Sequence, residues 1–377
     1  MITVRQVSSK KDIKKFIELP LELYRNCPQF TPPLYSDEKK LLTTGGDRKI
    51  SESVFFLAEK DGKVVGRIQG IIQKQYNELH GERHARFTRF DSIDDTEVSQ
   101  ALFGAVEDWA RNHEMTSLHG PLGYNDLDRE GLLIEGFGED STFEEQYNFD
   151  YYPALVEDSG FQKEIDWLEF ELREPPVRND MLFRVSDRIL SMNKLHIAKT
   201  DGISKKQYID QYKDGFFECL DECYSKLYGT VPISKEAQDE LVSQFMLIVK
   251  KEFLIFICDE NERVVAFGLC FPSIAEAVKK SGGKMTLPTL IRILRAVNKP
   301  EIMDLALIAV RPEYQNVGIN AVMITGILHL LETKMANKCE TNLNLETNVQ
   351  VISQWKHFDK RQHKRRRSYV KNIEKGE

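Results

Sequence analysis

Six consecutive residues, Gln315-Asn316-Val317-Gly318-Ile319-Asn320, stand between an apolar run and an amphipathic one, and their types suit the binding of an anion. The apolar run, Leu305 to Val310, reads as a buried strand that stops at Arg311-Pro312. The segment 319–336 reads as a long helix with Val322, Met323, Leu330 and Leu331 turned inward. A helix N-terminus offers unpaired N–H groups and about half a positive charge. Successive amides in a tight loop cradle phosphate oxygens. Gly318 lets the backbone approach an anion with no side chain in the way. No aspartate or glutamate lies between Gln315 and Leu331, so an anion meets no opposing charge there. The alternative is a plain strand–loop–helix connection whose glycine serves tight packing.

The elements that must position this loop are repeated along the chain. Phe56 to Gly66 reads FLAEKDGKVVG and Phe256 to Ala266 reads FICDENERVVA. Each is a β-rich run, a polar turn and a second β-rich run, the pattern of a hairpin. Their Val-Val pairs, 64–65 and 264–265, are 200 positions apart. The flanking elements recur in order. The first half predicts a strand at 2–7, a helix at 11–26, the hairpin at 54–75, a strand at 85–91, a helix at 97–113 and strands at 117–120 and 166–172. The second half predicts a strand at 194–200, helices at 204–227 and 233–250, and the hairpin at 252–272. A strand at 302–310, the helix at 319–336, a strand at 340–346, a helix at 349–358 and a final strand at 365–371 complete it. Alternating strands and helices with an antiparallel hairpin predict an α+β (mixed α/β) fold, in which each domain is a mixed, mostly antiparallel sheet flanked by helices. The pattern breaks near 173–190, at Arg173-Glu174-Pro175-Pro176, which divides the chain into domains 1–175 and 190–377.

Composition narrows the function classes. The chain of 377 residues is 41% hydrophobic and 29% charged, as expected of a globular protein. Its net charge of −7 argues against general affinity for nucleic acid. The run KRQHKRRR, 360–367, holds six Lys/Arg residues, which suit a last strand with basic side chains, a rim meeting phosphates, or a nucleic-acid patch. The six cysteines form no CxxC pair, and Cys219 and Cys223, four apart, have no further ligand-like neighbours in the sequence, so no metal is expected. No apolar run reaches the ~18–20 residues of a membrane span, and no signal-peptide core opens the chain. The expectation is a cytoplasmic protein with no membrane partner.

The pattern D-x-A-x-I-x-V from Asp304 followed by Q-x-x-G-x-N from Gln315 resembles the signature of the GNAT superfamily of acyl-CoA N-acyltransferases, whose loop is written Q/R-x-x-G-x-G/A. Asn320 departs from the last position. The resemblance continues through the strand at Leu343 to Glu346 and the segment from Asn348, and with the repeat it implies two tandem GNAT-like domains. It implies acetyl-CoA or another acyl-CoA as cofactor, held by Ala309, Val310, Gln315, Asn316, Val317, Gly318, Ile319, Asn320, Ala321 and Asn348. It makes Asp304, eleven residues before Gln315, the matching position for a general base. The tyrosine that such enzymes often use as general acid is replaced by Trp355, whose indole N–H keeps its proton at neutral pH.

The first half has no such loop. Asp91-Ser92-Ile93-Asp94-Asp95-Thr96 precedes its helix, and Asp94, Asp95 or Thr96 would cap the amides that could otherwise hold phosphate. That half is expected to be a degenerate copy. Its polar, aromatic stretch 120–150 suits either an acceptor pocket or an excursion held by its own contacts. The leading reading is an N-acyltransferase that moves an acetyl or other acyl group to a small-molecule or peptide amine. The alternatives are a catalytically silent acyl-CoA sensor or scaffold, and an aminoacyl transferase resembling peptidoglycan-bridge enzymes. The sequence names neither the acceptor, the acyl chain length nor the oligomeric state.

Overall fold

A computed structural model describes residues 1–44 and 50–374. The chain begins with β1 (Ile2–Gln6), α1 (Lys10–Leu23), α2 (Tyr35–Thr44), β2 (Ser51–Lys60), β3 (Lys63–Gln73), α3 (Lys74–His80) and β4 (His84–Ser92). There follow α4 (Thr96–Asn112), β5 (Ser117–Gly120), β6 (Leu132–Glu135), α5 (Tyr152–Asp158), β7 (Gln162–Arg173) and α6 (Asp180–Met192). Next come β8 (His196–Ile197), α7 (Lys205–Tyr224), α8 (Lys235–Phe245), β9 (Leu254–Cys258), β10 (Val264–Pro272), α9 (Ala275–Lys279) and α10 (Leu287–Asn298). The chain ends with β11 (Ile302–Val310), α11 (Asn320–Glu332), β12 (Lys338–Thr341), β13 (Asn344–Leu345), α12 (Val349–Gln354) and β14 (Asp359–Asn372).

Two compact units result, and neither is one continuous stretch of chain. The first comprises 1–168, 275–290 and 363–377; the second comprises 169–274 and 291–362. Thus the last ten residues of β14 and the last five of β7 lie in the unit opposite to the rest of their half of the sequence.

In the first unit the strand order is β1-β2-β3-β4-β5-β14. Only β4 and β5 run parallel; the other neighbours are antiparallel. The β2–β3 turn places Asp61 at φ 52° and Gly62 at φ 77°, the two left-handed positions that a tight hairpin demands. A capping box between Ser9 and Asp12 starts α1. The core forms where Val98, Leu102, Phe103 and Val106 of α4 meet Ile68, Phe87 and Phe90 of the sheet.

The second unit repeats this order as β8-β9-β10-β11-β12-β7. Its one parallel pair is β11 with β12. A capping box of Ser204 with Gln207 starts α7, and Tyr208, Tyr212, Phe216 and Leu220 bury its inner face. The expected strand at 194–200 shrinks to two residues, with Lys194 at a left-handed φ of 55° before it and one more contact after it, Ala198 N–H to the Phe256 carbonyl at 2.9 Å. Helix α6, unforeseen, occupies much of the expected interdomain break. Among the described residues no helix is long and apolar enough to cross a membrane.

Candidate active site

The site is built on the parallel pair of the second unit. Strand β11 matches β12 from Ile302–Lys338 to Leu305–Thr341, and there the pairing stops. Asn342 makes the last contact, its N–H donating to the Leu305 carbonyl at 3.0 Å. Yet β11 continues for five more residues, to Val310, and among the described strands pairs there with β10 alone. The two strands therefore fork. Opposite Leu269 and Cys270 stand Leu307 and Leu305, so Ala306 is an extra residue, a bulge that bends β11 at the root of the fork. The other prong is set by Asn344, whose amide donates to Thr341 Oγ1 at 2.9 Å.

The residues proposed for chemistry distribute around this fork. Asp304 lies at its closed end, 4% exposed. It pairs with Glu340 of β12, which in turn pairs with Glu171 of β7, so three carboxyls line one face of the sheet. Lys338 separates two of them, at 2.9 Å from Glu171 and 2.6 Å from Glu340. Burial pushes the Cys270 thiol up to about 12, and the Asp304 charge adds to the shift. Trp355 is buried, and its indole N–H donates to Asn344 Oδ1 at 3.1 Å. It therefore holds a prong of the fork. Asn348 caps α12, accepting from the Val351 amide at 3.3 Å.

The loop follows the open end. Gln315 folds back so that its side-chain amide donates to the Val310 carbonyl at 3.1 Å, tying the loop to β11. Asn316 takes φ 66° and Gly318 φ 92°, both left-handed. A Cβ on Gly318 would stand 2.6 Å from Ile189 Cδ1 of α6. The glycine is thus favoured by its φ of 92°, with the tip of the Ile189 side chain close by. Helix α11 begins at Asn320 with no side-chain cap and no acid in its first turn. Ala321 and Val322 donate backward to Gly318 and Ile319. Among the described residues none accepts from the amides of Asn316, Val317, Gly318 or Ile319. Four consecutive donors at the positive end of a helix fit a pyrophosphate.

Sequence reasoning missed Tyr224. This last residue of α7 donates its hydroxyl to the Ile308 carbonyl at 3.2 Å, in the stretch where β12 has left β11. Its placement depends on Arg311, 3% exposed, whose side chain bonds the Val264 carbonyl at 2.8 Å and forms an ion pair with Glu222 of the same helix. Spacing in the sequence gives no signal for this, because α7 and β11 are more than eighty residues apart.

The corresponding place in the first unit is filled. Pairing of β4 with β5 ends at Arg86–His119, and the chain then closes on itself, Leu122 N–H donating to the Phe87 carbonyl at 2.9 Å. Asp95 caps α4, accepting from the amides of Glu97 and Val98 at 3.0 and 3.4 Å. Stretch 120–150 is held both by its own contacts and by neighbours, Gln69 donating to Tyr124 Oη and Thr31 N–H to Ser141 Oγ, each at 2.9 Å. Asn148 bonds both ways with Leu133, and Tyr147 donates to Phe137. The basic run on β14 divides, with Lys360 and Arg361 exposed and the part from His363 onward belonging to the first unit. Lys364 and Arg366 are 1% and 0% exposed, and Arg367 pairs with Asp166 at 2.8 Å. The expectation of a last strand with exposed basic side chains thus holds at Lys360 and Arg361 and fails at Lys364 and Arg366.

Comparison with solved structures matches the whole chain. A tandem GNAT protein from the clavulanic acid biosynthesis pathway superposes with a TM-score of 0.58 at 12% identity, covering 100% of both chains. This chain has the tandem GNAT fold. A GCN5-related N-acetyltransferase from Sphaerobacter thermophilus gives a TM-score of 0.51 at 11% identity, covering 100% of this chain and 96% of the other. Among curated proteins, protein YghO of Escherichia coli K12 is 27% identical over 379 residues, 98% of this chain and 95% of YghO. The bacterial ceramide synthase of Caulobacter vibrioides is 25% identical over 293 residues, 75% of this chain and 73% of that protein. No family model matches. In the tandem GNAT frame, the fork and the uncapped loop fall in the second unit.

Proposed function

We propose that this tandem GNAT protein is an acyl-CoA-dependent N-acyltransferase whose second unit holds the cofactor. The observation that carries the reading is the fork between β11 and β12 running directly into a loop of four unpaired amides. Asn316 to Ile319 would hold the pyrophosphate, and the open edge of β11 from Ala306 to Val310 would take the pantetheine arm by backbone hydrogen bonds. When bound, the cofactor supplies the acyl group as an activated thioester.

The chain's own residues then have separable tasks. Tyr224 Oη carries a proton at the fork. Asp304, buried at the closed end, is the proposed acceptor of the amine proton. Trp355 and Asn344 hold the prong that keeps the fork open. The likeness to a ceramide synthase supports an amphiphilic amine as acceptor, such as a long-chain amino alcohol, with a long-chain acyl donor. The test is thiol release from acyl-CoAs of increasing chain length, assayed against long-chain amino alcohols and against a control panel of small amines and peptides. Release that depends on an amine supports the reading. Binding without release over the whole panel favours a silent acyl-CoA sensor instead.

A further inference from the structure

Helix α10 presents three faces with different chemistry. At about 100° per residue, Thr289, Ile293 and Val297 share one side, and all three are buried. Leu287, Ile291 and Leu294 share the opposite side and are 72%, 42% and 41% exposed. Arg292, Arg295 and Lys299 fall together between these two. From Ala277 to Pro300 the chain carries six Lys/Arg residues and no aspartate or glutamate, although the whole protein bears a net charge of −7. Among the described residues no carboxylate pairs with Arg295 or Lys299.

We propose that α10 docks this protein on an anionic phospholipid bilayer, with Leu287, Ile291 and Leu294 entering the headgroup boundary and the basic flank meeting lipid phosphates. An exposed apolar stripe beside a run of Lys/Arg is the composition that lies flat in a membrane interface. Helix α6 supplies a contrast within the same chain. It also exposes Met181, Val185 and Met192, but its charged residues are two acids, Asp180 and Asp187, and two bases, Arg184 and Arg188, so unlike α10 it carries no net positive charge toward an anionic surface. A second copy of the chain is the weaker occupant. Three side chains of one helix fall well short of the ~800 Å² per partner of a stable interface. The expectation of no membrane partner rested on the lack of a spanning segment, which has no bearing on surface docking. The proposal goes beyond the acyltransferase reading and stands without it.

The experiment is co-sedimentation of the full chain with vesicles of phosphatidylcholine alone, or with about one third phosphatidylglycerol, at low and high salt. Expected is partition onto the anionic vesicles only, weakened by salt. The pairs Ile291→Ser/Leu294→Ser and Arg295→Glu/Lys299→Glu should each lower it about fivefold or more. Met181→Ser should leave it unchanged, and melting temperatures should confirm that all variants fold. Wild type remaining in the supernatant, or both paired variants partitioning like wild type, overturns the proposal. So does a dimer in light scattering that Ile291→Ser/Leu294→Ser dissolves without any vesicle binding, which assigns the stripe to a second copy.

Discussion

At the scale of single residues, the proposed function separates groups that bind from groups that carry protons around the fork. Tyr224 is the hydroxyl bound to the open stretch of β11, so Tyr224→Phe should lower turnover about 10²-fold while leaving acyl-CoA binding intact. Steady-state kinetics beside a binding titration checks this. A variant that turns over normally removes Tyr224 from the chemistry. Asp304→Asn should give a similar loss in turnover, read as loss of the acidic limb of the pH–rate profile. A profile that keeps this limb assigns Asp304 to packing beside Cys270 and Cys339. Gly318 is a poor probe. Its φ of 92° and its contact with Ile189 mean that any side chain strains the fold before it meets a ligand. Much of the candidate loop's backbone was legible from residue types, since glycine and missing acids need no three-dimensional context. Tyr224 and Arg311 were not, because their partners come from distant segments.

At the scale of elements, two carboxyls of the row across β7, β12 and β11, Glu171 and Glu340, share one lysine, Lys338. Glu171 is 7% exposed, and although burial opposes ionisation, Lys338 and Arg173 hold its pKa down to about 2. Lys338→Met leaves Glu171 and Glu340 buried without that partner and should destabilise the second unit by about 3 kcal/mol. Chemical denaturation measures the loss; a change below ~0.5 kcal/mol would mean that water enters the row and solvates it. The repeat was legible at this scale because the hairpins carry period-two patterns and turn residues. The destinations of β7 and β14 were not. A strand's register and neighbours depend on contacts that a one-dimensional pattern does not record. Helix α6 was hidden by the prolines just before it, which read as a break.

At the scale of the whole molecule, each unit keeps a buried acid depressed to about 2. In the first it is Glu38, where burial opposes ionisation and Arg89, held in a bidentate pair, outweighs it. In the second it is Glu171. Both folded values lie below the ordinary 4.5, so this stabilisation is present above about pH 4.5 and is lost as pH falls toward 2. Melting temperature should hold from neutral pH down to about 5 and then fall. Arg89→Met should flatten that acid limb for the first unit, and an unchanged limb would remove the Glu38 pair from the balance.

The proposed division of labour between the units comes down to which helix N-terminus is free. Asp95 caps α4, whereas α11 is uncapped. Asn320→Asp places a carboxylate at the first turn of α11 without touching Gly318. By calorimetric titration, wild type should bind acyl-CoA, and Asn320→Asp should bind at least about tenfold more weakly while melting no lower, since an acid at a helix start stabilises it. Equal affinity in the two proteins, or no binding to wild type, would contradict the placement of the cofactor at this loop.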